Sequence, residues 1–164
     1  MAGFAVIANP AHAQTSDADA DARILEPLSV YKIADLDFGN IIAGPAAGTV
    51  FIDTRNGNRT AAGGVTLGGG TSSRADFLIN GPVNQIVRIS IPSTVTINRT
   101  TGSDSMRIDR MAIGNANRNF GSSVRARLSR TGVFSITVGG RLLVNANQPT
   151  GEYTGTFVMT VIYE

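Results

Sequence analysis

Apolar and polar residues alternate in short runs along most of the chain. Val87, Ile89 and Ile91 alternate with Arg88 and Ser90, and Pro92 ends the run. Val95 and Ile97 alternate with Thr94, Thr96 and Asn98. Phe134, Ile136 and Val138 form a third run, followed by Gly139-Gly140. Leu142, Val144 and Ala146 form a fourth, followed by the turn signal Asn147-Gln148-Pro149-Thr150-Gly151. A period of two places successive side chains on opposite faces of a strand. Further strands are expected at 28–33, 36–42, 48–53, 64–68, 74–80, 105–113 and 123–129. The last strand is the most regular: Tyr153, Phe157, Met159, Val161 and Tyr163 share one parity, while threonines dominate the other. No segment holds a period of 3.6 over three turns. Many short strands joined by glycine-rich turns predict an all-β sandwich or barrel. An immunoglobulin-like β-sandwich is favoured, although the immunoglobulin Cys pair and Trp are absent.

The N-terminal segment alternates in a different way. Asp17, Asp19, Asp21 and Arg23 lie on one parity; Ala18, Ala20, Ala22 and Ile24 lie on the other. Such an arm has one charged face and one small apolar face. Ala and Asp are poor strand formers, so the arm needs a partner sheet to become ordered. Three aspartates at this spacing also suggest calcium. A calcium loop of the helix–loop–helix type requires Gly at the sixth position and a carboxylate at the twelfth. Those positions are Ala22 and Leu28, so no metal site is assigned.

Ahead of the arm, Phe4 to Ala8 is apolar, Asn9-Pro10 breaks it, and Ala11-His12-Ala13 matches an A-x-A cleavage site. Residues 1–13 are therefore expected to be an export signal cut after Ala13. No Lys or Arg precedes the apolar run, so part of the leader is expected to lie upstream of Met1. The expected organisation is signal 1–13, arm 14–27 and sandwich 28–164.

Composition narrows the chemistry. The 164 residues contain no Cys and no Trp, and the single His12 lies in the expected leader. The mature chain then has no thiol nucleophile, imidazole base or soft-metal ligand set. A non-enzyme is expected, with no catalytic residues and no cofactor. Gly63-Gly64 and Gly68-Gly69-Gly70 lack a following Gly-Lys-Ser/Thr, so they read as loop glycines rather than a phosphate loop. Lys32, the only lysine, reads as a solvated strand residue. Asp104 and Asp109 are expected to pair with Arg107 or Arg110. No apolar stretch approaches the roughly 20 residues of a membrane-spanning helix, so no membrane insertion is expected.

Charge is unevenly distributed. Residues 15–37 hold six acids against two bases, a net of −4, and residues 38–164 hold twelve arginines against six acids, a net of +6. A basic body raises nucleic-acid binding. The arginines are scattered over many strands, with no aromatic-rich basic segment, so nucleic acid is not expected. The acidic arm of one molecule can instead meet the basic body of another, and complementary charge of this kind steers association.

The chain resembles the domain of unknown function 4402 family, small exported proteobacterial proteins. The residues that carry the resemblance are Ala20-Asp21-Ala22-Arg23-Ile24, Pro27-Leu28-Ser29-Val30 and Ala34-Asp35-Leu36-Asp37-Phe38-Gly39-Asn40-Ile41. Ala75-Asp76-Phe77 leading to Gly81, Val138-Gly139-Gly140 and Gly151-Glu152-Tyr153-Thr154-Gly155-Thr156-Phe157 through Tyr163 carry it further. More distantly, the layout is similar to chaperone–usher pilus subunits. That similarity implies an incomplete sandwich and a donor arm with Ala18, Ala20, Ala22 and Ile24 facing a neighbour's groove. It also implies a head-to-tail homopolymer, served by a periplasmic chaperone and an outer-membrane usher, that ends as a cell-surface fibre. Head-to-tail addition does not close on itself and yields a filament. A secreted monomeric adhesin or binding module, its arm folded in cis, is the alternative. In either case main-chain hydrogen bonds, about 0.5–1.5 kcal/mol each, are expected to outweigh the burial of alanine. Full burial of Ile24 would add about 1.5–3 kcal/mol.

Overall fold

A computed structural model describes Ile24 and residues 26–164. The leader and all of the arm before Ile24 lie outside the described residues. Twelve strands run β1 (Ser29–Ala34), β2 (Ile41–Ile52), β3 (Arg59–Leu67), β4 (Ala75–Asn80), β5 (Ile86–Ser90) and β6 (Val95–Arg99). They continue as β7 (Ser105–Gly114), β8 (Asn119–Gly121), β9 (Ser123–Arg127), β10 (Val133–Val144), β11 (Tyr153–Thr154) and β12 (Thr160–Tyr163). Every strand pairing is antiparallel, and no helix occurs among the described residues. The protein is an all-β sandwich.

The larger sheet follows the order β1-β4-β10-β7-β6-β11, and the smaller one β12-β5-β9. Strand β10 is the spine of the larger sheet. Its first half pairs with β4 and its second half with β2, both on one side, while β7 lies along the other. The sequence pattern ends one strand at Gly139-Gly140 and starts another beyond; the structure runs a single strand through both. A Cβ on Gly139 would lie 2.3 Å from the Ile52 carbonyl oxygen. Glycine is required there so that β2 can approach, and the register with β7 shifts between Gly139 and Arg141. Gly63-Gly64 are likewise within β3 rather than a loop, packed against the backbone of Ala46 and Ala47. The strand expected at 36–42 is reduced to the Asp37–Ser73 bridge and the first residues of β2.

The two sheets enclose one core. Ile52, Ile79, Ile113, Ile136 and Val138 from the larger sheet meet Val87 and Ile89 from the smaller, all at 0% exposure. Each comes from the inward parity of its strand, as the alternating pattern requires. The acids near the basic stretch choose cross-strand partners. Asp109 accepts from Arg141 at 2.8 and 2.6 Å, and Asp104 pairs with Arg99 at 3.3 Å. Neither forms an ion pair with Arg107 or Arg110; Arg141 stands directly across from Asp109 on β10, and Arg99 ends the strand that leads into the Asp104 turn.

Candidate functional site

Several strands have a free edge, among them β3, β9 and β11, but two free edges, one from each sheet, border a single seam. Strand β1 pairs only with β4, and β12 only with β5. Each leaves a row of main-chain groups without a strand partner on its other side. In an immunoglobulin constant-type sandwich, strands A, B, E and D form one sheet and C, F and G the other. Here β1-β4-β10-β7 occupy the A-B-E-D positions, and β5 and β12 those of C and F. Among the described residues no strand occupies the seventh place, beside β12.

The two strands bordering the gap run in opposite directions. At one end the Tyr163 hydroxyl donates to the Glu26 carbonyl. Leu28 and Tyr163 meet over Gly81, where a Cβ would come within 2.7 Å of Leu28 and 3.6 Å of the Tyr163 oxygen. At the other end Phe157 meets Phe77 edge to face, with ring centroids 6.2 Å apart at 73°. Phe77 lies opposite Lys32 on β1, so the segment 157–163 passes alongside β1 from its Lys32 end to its Leu28 end.

Burial shows that this seam is unfilled. On β12, Val161 is opposite Ile89 and Tyr163 opposite Val87. The β5 partners are fully buried, yet Val161, Tyr163, Met159 and Phe157 are only half-buried. On β1, Val30 is opposite Ile79 and shares its inward face; Ile79 is 0% exposed and Val30 42%. Val30, on the inward parity of β1, is exposed beside the gap, while Tyr31, Val158 and Ile162 are exposed on the opposite parity of the same segments.

The expected C-terminal strand is divided. Tyr153 lies on β11, which pairs with β6 in the larger sheet. Phe157 and Met159 lie on the crossing between the sheets, and only Val161 and Tyr163 lie on β12. Gly155 makes the crossing possible, since a Cβ there would stand 2.7 Å from the Thr96 carbonyl oxygen. The shared parity survives the break: Phe157, Met159, Val161 and Tyr163 alternate with more exposed neighbours. Of the expected donor residues, Ala18, Ala20 and Ala22 lie outside the described residues. Ile24 is 98% exposed and does not pack on its own sandwich.

A second feature was not singled out by the sequence reading. On the outer face of the smaller sheet, Ile162, Arg88 and Arg125 stand in one row across β12, β5 and β9. Two arginines directly opposite one another repel. The Glu164 carboxylate accepts from both, while its N–H donates to the Ile86 carbonyl at 3.1 Å. Hydrogen bonds from Arg125 and then Arg88 hold that carboxyl below its ordinary value. Only the strand register brings these residues together.

A family model described as Domain of unknown function (DUF4402) matches residues 28–163. The chain belongs to the DUF4402 family. The match spans the sandwich from Leu28, at one end of the seam, to Tyr163, which closes over it. The segment Leu36-Asp37-Phe38-Gly39 has a structural place in this DUF4402 chain. Phe38 enters the core, and the Gly39 N–H turns back onto the Asp37 carboxylate at 2.8 Å with φ of 66°. No curated protein and no solved structure matches the chain.

Proposed function

We propose that this protein is a structural subunit of an extracellular fibre assembled by donor-strand exchange. The arm of one copy, residues 17–25, enters the seam between β1 and β12 of the next. Its Ala18, Ala20, Ala22 and Ile24 face the exposed Val30 and the half-buried Phe157, Met159, Val161 and Tyr163. Its main chain completes the ladders that β1 and β12 leave open, as in strand addition generally. The carrying observation is the unfinished core: inward-facing Val161 and Tyr163 stay half-exposed beside partners at 0%.

Two features favour a neighbour's arm over the chain's own. Ile24 is almost wholly exposed. The Tyr163 hydroxyl also holds Glu26 at the end of the seam, so a cis arm would have to reverse within the few residues before β1. On this reading the protein is exported through the periplasm, and a chaperone covers the exposed seam until an usher brings the next arm. An unpaired apolar edge is otherwise an aggregation hazard. The role is structural, with no reaction assigned.

Deletion of residues 15–25 from the mature protein tests this. Sizing in non-denaturing buffer and electron microscopy should show polymers of the intact chain and none of the deleted one. Normal filaments from the deleted chain would exclude the arm as connector. A single monomer peak from the intact chain would favour the cis-folded adhesin.

A further inference from the structure

Apart from Ile24, the inward face of the arm carries no information about register. Ala18, Ala20 and Ala22 are identical, so sliding the arm by two residues changes only where Ile24 falls. Some other feature must align it. The outer face of the acceptor sheet supplies one. That face carries Thr160, Ile162 and Glu164 from β12, Ile86, Arg88 and Ser90 from β5, and Ser123, Arg125 and Arg127 from β9. Three arginines against one carboxylate leave it basic by two charges. The side chains of Arg88 and Arg125 are 55% and 66% exposed.

We propose that Arg88, backed by the positive field of Arg125, forms a charge latch that sets the register of a second copy's arm, with its Asp17, Asp19 and Asp21 drawing the Arg88 guanidinium away from Glu164. This rests on the donor-strand reading. An arm beside β12 is the next strand of the smaller sheet, and its parity is fixed once Ala18, Ala20, Ala22 and Ile24 face inward. Asp17, Asp19 and Asp21 then share the outer face with the arginine row. Only β12 separates them from Arg88, two strand spacings or about 10 Å between backbones, whereas Arg125 on β9 is three spacings or about 14 Å away and acts through its field rather than by contact. The intervening residues, Thr160 and Ile162, carry no charge, and an arginine stem is long enough to lie across them. Arg23 completes the device. Sliding the arm one repeat in the direction that brings Arg23 to the place of Asp21 sets like charges together, a penalty against the wrong register. Glu164 acts as a stand-in before assembly. It neutralises the repulsion between Arg88 and Arg125 and yields to a segment with three carboxylates.

The test uses the full mature chain, in which no native Cys interferes. Ala22→Cys and Val161→Cys in one chain report strand addition as a disulfide-linked ladder, and light scattering reports the rate of assembly. The double variant R88Q/R125Q should assemble about tenfold more slowly at low salt, the lower end of electrostatic steering. The gap should close near 1 M salt, where the screening length is about 3 Å. Reversal of both faces, R88E/R125E with D19R/D21R, should restore the rate. Glu164→Gln should accelerate assembly, whereas loss of a merely structural ion pair would slow it. A normal ladder with rates indifferent to salt and to R88Q/R125Q overturns the latch and leaves strand addition standing. Absence of any ladder overturns both.

Discussion

Strands β2 and β12 both send side chains into the core, with opposite outcomes. On β2, Val50 and Ile52 are 0% exposed, because β10 and β3 flank the strand on its two sides. On β12, Val161 and Tyr163 face residues just as deeply buried and remain half-open. The side chains are comparable; the neighbours are not. Edge position alone does not open a residue, since Val65 on β3 and Ala126 on β9 are buried although each strand has a partner on one side only; on β12 the uncovered side also borders the gap. The difference marks the β12 edge as the less covered part of the core, the place where the proposed donor strand would add.

The comparison sharpens under substitution. Ile52→Ala in the closed half should cost about 2–5 kcal/mol of unfolding free energy, the usual range for emptying a full core site. Val161→Ala should cost less, about 1 kcal/mol in the isolated subunit, since that side chain is only partly buried. Denaturant unfolding of monomers measures both. Equal losses would mean that the seam is as well packed as the rest. Assembly should reverse the order of importance, because Val161 becomes buried only when an arm arrives.

The smallest effect expected is with acid. Hydrogen bonds from Arg141 to Asp109 and from Arg125 and Arg88 to Glu164 lower both carboxyl pKa values in the folded state. Groups lowered in this way stabilise the fold above their unfolded values, and that contribution is lost as pH falls through the folded ones. Melting temperature should thus decline as pH drops below the ordinary carboxylate values, 3.8 for Asp109 and 4.5 for Glu164. Asp109→Asn and Glu164→Gln should each flatten the decline. An unchanged profile in both variants would show that these ion pairs are as solvent-screened as ordinary surface pairs.

Much of the sandwich was legible in the sequence, because a period of two survives in most strands. Val87, Ile89, Ile136 and Val138 were placed on inward faces by alternation alone, and each is fully buried. Glycine misled the reading in both directions. Gly139-Gly140 resembles a turn but lets β2 and β7 approach β10. Gly155 resembles a minor gap in one long strand but is where the chain passes from one sheet to the other. Local composition cannot distinguish these, since the contacts that demand a missing Cβ come from distant residues. The same limit hid the arginine row. Arg88 and Arg125 are 37 positions apart in the numbering, and only their shared register with Ile162 sets them opposite one another. The alternating arm and the terminal parity were plain, whereas the seam that connects them depends on which strands lack neighbours.

Amide hydrogen exchange of β1 and β12, compared between monomer and assembled material, tests the missing strand most directly. Exchange at the outer-edge amides of Thr160–Tyr163 and Ser29–Ala34 should be fast in the monomer and strongly slowed on assembly, while β2 and β10 stay protected throughout. Equal protection of β12 in both states would contradict the account, for it would mean that the lone subunit already has every strand it needs.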